Sequence, residues 1–221
     1  MKLSVSMASS KPAVPAVRVS ERLQRRRAHT RSRLIDGART LIANGGLERL
    51  TIADVTEEAD VGFGTFYGYF DSKDDLTRAA VADTLERIGA ENDALTGHLA
   101  DPAEIMATAI CHTLQLVERE RAWASFLVGV AFSPERSLWA GLRARVRRDV
   151  GAGVAGGRFS VPDVEVACAL VCGAVLAGAR ARLDGDLAPE ADPEIARGVL
   201  VMLGLSQRDA KAVVRRVGAP W

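Results

Sequence analysis

Apolar positions along the chain recur with helical rather than strand spacing. Leu34, Ile35, Ala38, Leu41 and Ile42 fall at i, i+1, i+4, i+7 and i+8, one stripe of an amphipathic helix. Asn44-Gly45-Gly46 follows, and these residue types tolerate the left-handed conformation that ends helices, so the first helix is expected to stop there. Ile52, Val55 and Ala59 mark one side of a short helix opened by Thr51. Phe66 and Phe70 stand four apart on another, with Asp60-Val61-Gly62 as the break between them. Start signals repeat down the chain. Thr51 with Asp54, Ser72 with Asp75 and Ser206 with Asp209 resemble capping boxes in which Asp replaces Glu. Asp101-Pro102, Ser133-Pro134 and Asp192-Pro193 each put an N-cap ahead of a Pro at the first helical position. Alternating apolar runs bounded by hairpin turns are absent. The pattern predicts an all-α fold of nine or ten helices.

Length and composition permit a substantial core. The chain has 221 residues, 48% of them hydrophobic and 26% charged, values usual for a globular protein. Its longest apolar run, Val166 to Ala179, is shorter than the roughly 20 residues of a spanning helix, so no membrane partner is expected. Three cysteines without scaffold spacing suit a reducing, cytoplasmic setting. The net charge of +1 hides an asymmetry: residues 1–50 hold 11 Lys and Arg against 3 Asp and Glu, and residues 51–100 hold 3 against 11. A basic front end suggests an anionic partner docking there, or a solvated basic arm. Three scattered histidines form no nucleophile–base or metal pattern, and no Gly-rich phosphate loop is present. The expectation is a protein that is not an enzyme and carries neither cofactor nor metal.

The informative stretch is Thr51 to Lys73. Two short helices joined by a tight turn make a helix-turn-helix, with Val61 plugging the core between them. On the second helix Gly64 and Gly68 lie nearly opposite Phe66, flanked by Thr65 and Tyr67. Two glycines in a helix cost about 1 kcal/mol each relative to Ala. Close approach of a backbone to a ligand as large as DNA accounts for them; a loosely wound loop is the alternative.

These residues resemble the N-terminal domain of TetR/AcrR-type transcriptional regulators. The elements are Leu34-Ile35, Gly46, Thr51, Ile52-Ala53, Ala59, Val61, Gly64-Thr65-Phe66-Tyr67, Phe70 and Ser72-Lys73 with Leu76, all within about residues 30–78 and in the family's order. The resemblance implies a three-helix DNA-binding head and a C-terminal helical domain for effector binding and dimerisation. The expected division is a flexible basic leader over 1–27, a head over 28–78 and a second domain over 79–221. It implies a dimeric, ligand-responsive repressor on a palindromic operator, and the apolar residues of 105–146 favour a small, mostly apolar molecule as the effector that releases it. The alternatives are a regulator without a small effector, whether activator or repressor, and one with a redox switch.

Expected contacts to double-stranded DNA follow residue by residue. Thr51 at a helix N-terminus offers hydroxyl and N–H to a phosphate. Lys73 in the first turn of the next helix opposes the helix dipole, a conflict that a phosphate resolves. Thr65 and Tyr67 supply hydroxyls, with partial core packing as the alternative for Tyr67. Phe63, Thr65 and Tyr69 can touch thymine methyls, though Phe63 can equally be core, and Gly64 allows close approach. Arg31 belongs to an arginine arm, Arg18 to Arg33, that reaches backbone or minor groove or is simply solvated. The family departs here at Asp60, where a small residue is common, and at Gly62, Phe63 and Gly68, where polar or basic residues are common.

Beyond the head, Trp123, Phe126, Trp139 and His112 are the candidate effector-lining residues; the three aromatics can equally be core. Small residues over 164–183, Ala174 and Gly178 among them, suit either a dimer bundle with the helix after Asp192 or tight internal packing. Cys168 and Cys172 stand four apart and read as buried apolar thiols, with a redox switch as the alternative.

Overall fold

A computed structural model of the protein describes residues 16–130 and 140–217, with side chains described over 21–129 and 141–217. Ten α-helices and two short 3-10 turns account for it, with no strand among the described residues. Helix α1 runs Ala16–Gly45, α2 Ile52–Glu58, α3 Phe63–Phe66, α4 Lys73–Thr96 and α5 Pro102–Arg119. They are followed by α6 Arg121–Val130, α7 Ala140–Ala155, α8 Val164–Asp184, α9 Asp192–Met202 and α10 Gln207–Val217. Trp139 and the Ser133-Pro134 start signal lie outside the described residues.

Most boundaries follow from the caps. Thr51, Ser72 and Ser206 each accept the backbone N–H three residues on, at 3.1 Å in all three cases, and Asp101 accepts that of Ala103 ahead of Pro102. Gly46 ends the first helix with φ 79°, a conformation that costs glycine nothing. Three expectations are corrected. Residues 16–27, read as flexible leader, are helical and continuous with α1; their Arg, Gln and Leu side chains lose little rotamer freedom in a helix. Asp192 is not a cap. It sits inside α9 behind Ala191, buried, because its carboxylate is taken by the buried guanidinium of Arg182. The helix carrying Phe66 is only four residues long and continues as turns, consistent with Gly64 and Gly68 weakening it.

Two hydrophobic clusters result. The first gathers Leu34, Ile35, Ala38, Ile42, Val55, Phe66, Phe70 and Leu76 from α1 to the start of α4. The second is built round α5, which packs on α4 and on α6 to α10. Helix α4 serves both: Leu76, Ala80, Val81 and Leu85 enter the first cluster, and Asn92 pairs with α5. Helix α6 crosses back, because Trp123 and Leu127 belong to the cluster of the head, not to that of α5.

Candidate nucleic-acid interface

Asp60 makes the turn of the helix-turn-helix. It has φ 48°, a left-handed conformation that Asp tolerates better than most residues. Arg33 of α1 holds it there, donating one NH2 group to both the backbone carbonyl and the carboxylate of Asp60 at 2.9 Å. The residue that departs from the family pattern is thus matched by a partner in the first helix. Val61 follows, packed against the head cluster.

Beyond the turn, α3 presents an unusual surface. Phe63 is 54% exposed and Tyr67 55% exposed, their rings edge-to-face at 6.0 Å. The phenyl ring of Phe63 is therefore on the surface, not in the core. Thr65 is exposed and Tyr69 half-buried. Between the two aromatics, a Cβ at Gly64 would meet no atom within 4 Å. Nothing in this chain requires a glycine there.

The arginine-rich start of α1 runs beside this surface. Arg27 donates to the carbonyl of Gly68 at 3.0 Å and lies over the Tyr69 ring at 5.4 Å, and Arg31 lies over Phe70 at 5.3 Å. Residues 21–29 are exposed throughout, so the remaining guanidiniums of this stretch stand in solvent. Thr51 is exposed and its hydroxyl bonds Asp54 Oδ2 at 2.7 Å, within the cap. Lys73 is half-buried at the first position of α4, with no ion-pair partner among the described residues. The structure places Phe63, Gly64 and Thr65 on α3 and Tyr67 and Tyr69 on the turns that continue it, and sets Arg27 and Arg31 against those turns and Phe70. Thr51 and Lys73 open the helices on either side.

The candidate effector residues are scattered. Trp123 is 3% exposed, its indole N–H donates to Thr84 of α4 at 3.2 Å, and Arg39 of α1 lies over its ring at 5.5 Å. Phe126 stacks against Trp123 at 5.0 Å. This pair fills the joint between α6 and the head. His112 is buried on α5 and bonded to Asn92 of α4 at 2.7 Å. Burial holds its imidazole below the usual range, with Glu91 pulling up and Arg119 down.

Sequence reasoning missed two polar assemblies. Glu120, at the end of α5, accepts from Arg39 of α1 at 2.7 Å and from Arg87 of α4 at 3.2 Å, pinning the head to the second domain. Arg145 of α7 grips Glu86 and Asp93 of α4 at 2.6 and 2.8 Å, and Arg148 adds a bond to Asp93 at 2.7 Å. The Arg145 bond holds Glu86 below the usual carboxylate range. At Asp93 burial pushes upward, and the two guanidiniums more than reverse it. A groove of about 400 Å³ lies between α6 and α8, lined by Arg121, Ser125, Arg180, Leu183 and Asp184 among others.

Comparison with known proteins decides the family. Residues 34–80 match the family described as bacterial regulatory proteins, tetR family, and residues 101–216 match a tetracyclin repressor-like C-terminal domain. The chain belongs to the TetR family. A TetR-family repressor named KstR from Rhodococcus jostii is 33% identical over 90 residues, 41% of this chain and 42% of that protein. KstR from Mycolicibacterium smegmatis is 40% identical over 63 residues, 28% of this chain and 31% of that protein. The chain thus matches less than half the length of these curated relatives. Over nearly the whole chain it resembles RolR in complex with resorcinol, with 32% identity and a TM-score of 0.69, covering 87% of this chain and 96% of RolR. FadR from Bacillus subtilis in complex with stearoyl-CoA has a TM-score of 0.68 at 16% identity, over 76% of this chain and 97% of that one, a likeness of fold alone.

Proposed function

We propose that this TetR-family protein is a transcriptional repressor that binds a palindromic operator as a homodimer and is released by a small effector. The observation that carries DNA binding is the surface of α3: two half-exposed aromatics flank a glycine whose missing side chain nothing in the chain requires, beside a row of solvated arginines. A major groove supplies what that surface lacks: thymine methyls for Phe63, Thr65 and Tyr69, and phosphates for Thr51, Tyr67, Lys73 and Arg31. Exposed rings left in water are otherwise a liability.

Dimerisation is supported by α8 and α9. Val166 and Leu170 are more than half exposed on α8, Met202 is exposed on α9, and Cβ atoms at Gly173 and Gly198 would meet nothing within 4 Å. Gly178 plays another part: a Cβ there would reach 2.8 Å from Ile195, so this glycine serves packing inside the chain. By composition α8 is long and apolar enough to cross a membrane. Its packing on α5, α6, α7 and α9 favours instead a helix that buries its remaining face against a second copy, in a protein that works on DNA in the cytoplasm. The effector reading is supported by the likeness to RolR, a protein seen with resorcinol. The redox alternative loses support, because burial pushes the thiols of Cys168 and Cys172 upward and a reactive cysteine needs the reverse.

The test is fluorescence anisotropy of a labelled duplex taken from the region upstream of the protein's own gene. Salt-dependent binding that a small hydroxylated arene reverses supports the reading. Binding that no small molecule reverses supports a regulator without an effector, and no preference over random duplex refutes the proposal.

A further inference from the structure

The element that carries Phe63 and Tyr67 has little of its own to hold it. Helix α3 spans four residues, and isolated helices are marginal below about 12–15 residues. Gly62 opens it without a side-chain cap, whereas Thr51 caps α2 and Ser72 caps α4. Gly64 and Gly68 add conformational freedom that folding must remove. Beyond Phe66 the chain continues as turns, in which the N–H groups of Gly68, Tyr69 and Phe70 donate to Thr65 and Phe66 at 3.1, 2.9 and 3.1 Å. Phe66 and Phe70 anchor one side of this stretch in the head cluster.

The backbone at its two ends is fixed from α1. Before α3, Arg33 donates to the carbonyl and the carboxylate of Asp60, each at 2.9 Å, at the residue whose φ of 48° turns the chain. The Asp60 carboxylate is open to solvent, so charge pairing alone contributes little. What the guanidinium adds is the second bond, to the backbone. After α3, Arg27 donates to the Gly68 carbonyl at 3.0 Å and covers the Tyr69 ring at 5.4 Å. Asp60 and Gly68 enclose Phe63, Thr65 and Tyr67 between them. Arg27 and Arg33 both precede residues 34–80, the part of the head that matches the family. Other arginines of the same helix are placed differently. Arg22, Arg25 and Arg26 are exposed and have no hydrogen bond or ion pair among the described residues, and Arg31 has a ring contact with Phe70.

We propose that Arg27 and Arg33 are positioning residues for DNA recognition: they clamp the backbone on either side of α3, so that Phe63, Thr65 and Tyr67 meet the groove already in place. The basic stretch then divides by role. Arg22, Arg25, Arg26 and Arg31 keep their N–H groups for phosphates, whereas Arg27 and Arg33 spend theirs on the recognition element. Ordering a loose segment at the moment of binding subtracts from affinity, and a segment ordered beforehand avoids that loss. Losing the clamp therefore harms sequence-specific binding, which needs the α3 side chains in register. It spares non-specific binding, which depends on the number of phosphates neutralised. The inference rests on the DNA-binding reading above and adds residues that act on recognition without touching DNA.

Hydrogen exchange and DNA binding of the full-length protein test it together. Arg27→Met, Arg33→Met and Arg25→Met are compared with wild type. Exchange of the amides of residues 60–70, which reports local opening, is read without DNA. Anisotropy is read over a salt series with two probes, a duplex from upstream of the protein's own gene and a random duplex of the same length. Arg27→Met and Arg33→Met are expected to exchange faster over residues 60–70. They should bind the upstream duplex about tenfold more weakly, the worth of one hydrogen bond. Their salt slope and their affinity for the random duplex should not change. Arg25→Met should show the reverse: exchange as in wild type, and a salt slope lower by about one on both duplexes. Asp60→Gly supplies the rescue. Glycine takes a positive φ without strain, so Arg33→Met in that background should lose no more than about threefold. A tenfold loss from Arg33→Met in both backgrounds, or a salt slope lowered by about one in Arg27→Met or Arg33→Met, makes the residue a DNA contact and overturns the proposal. Unchanged exchange over residues 60–70, unchanged binding of the upstream duplex, or an Arg25→Met that behaves like the other two overturns it as well. A wild type that prefers neither duplex refutes the repressor reading, and the exchange comparison then decides the clamp by itself.

Discussion

Replacing Glu120 with Gln should loosen the head from the second domain. Its carboxylate bonds two guanidiniums, and the two are not equal. Arg39 is 14% exposed, donates at 2.7 Å and lies over Trp123, whereas Arg87 is 41% exposed and donates at 3.2 Å. A hydrogen bond between charged groups contributes about 1.5–3 kcal/mol when sheltered, and an exposed pair about 0–1 kcal/mol. With Glu120 itself about one third open to solvent, the lower half of the sheltered range applies. Glu120→Gln should therefore cost about 2 kcal/mol, nearly all of it through Arg39. Urea unfolding followed by the fluorescence of Trp123, which sits at this joint, measures it. A double-mutant cycle with Arg39→Met should return a coupling of about 1.5 kcal/mol, and one with Arg87→Met less than about 0.5 kcal/mol. The variant should keep its affinity for an effector and need more of it to release DNA, because the coupling between the sites, not either site, has been weakened. Equal couplings for Arg39 and Arg87, or none for either, would refute the assignment of the Arg39–Glu120 bond as the principal tie between head and second domain.

Lys73→Ala should weaken operator binding and reduce the slope of log affinity against log salt by about one, with the circular dichroism spectrum unchanged; an unchanged slope removes Lys73 from the phosphate contacts. Leu170→Glu should convert the dimer to monomer in sedimentation and abolish operator binding, whereas Gly178→Ala should leave the dimer intact and cost about 1 kcal/mol of stability through contact with Ile195; a dimeric Leu170→Glu moves the interface off α8. Asp101 caps α5 and accepts two bonds from Arg158, at 2.8 and 2.9 Å. The Arg158 bond holds its carboxyl below the usual range against the upward push of burial, helped by the Ala103 N–H. The stabilisation is complete above the unfolded value of about 4 and is lost as the pH falls through the lower folded value. Asp101→Asn should thus lower stability at pH 7 and flatten its loss below about pH 4, as followed by melting temperature; a parallel profile would show that Asp101 is not depressed.

The helical pattern made much of this molecule readable before any coordinates. The stripe from Leu34 to Ile42 and the caps at Thr51, Ser72, Asp101 and Ser206 depend on neighbours within one turn, and they hold. Asp192 misled because its partner, Arg182, is ten residues away on another helix. The helix at the N-terminus was read as a leader because it has no apolar stripe to bury, although its propensity is high. The helix-turn-helix was legible from Gly64, Phe66 and Phe70. That Arg33 holds Asp60, and that Arg27 reaches Gly68, depends on how α1 crosses the motif. Trp123 looked like a pocket residue because large aromatics line pockets and cores alike. Its bond to Thr84 and its contact with Arg39 depend on the docking of α6 onto the head, which no local pattern encodes.

The central claim, a dimer that sets two copies of α3 into DNA, is tested most directly by selection from a pool of random duplexes with the purified full-length protein. The account predicts enrichment of an inverted repeat whose half-sites contain thymines at the positions facing Phe63, and it predicts that deoxyuridine in place of those thymines weakens binding by removing the methyl groups. Enrichment of a single unrepeated site, or of no sequence at all, would contradict it.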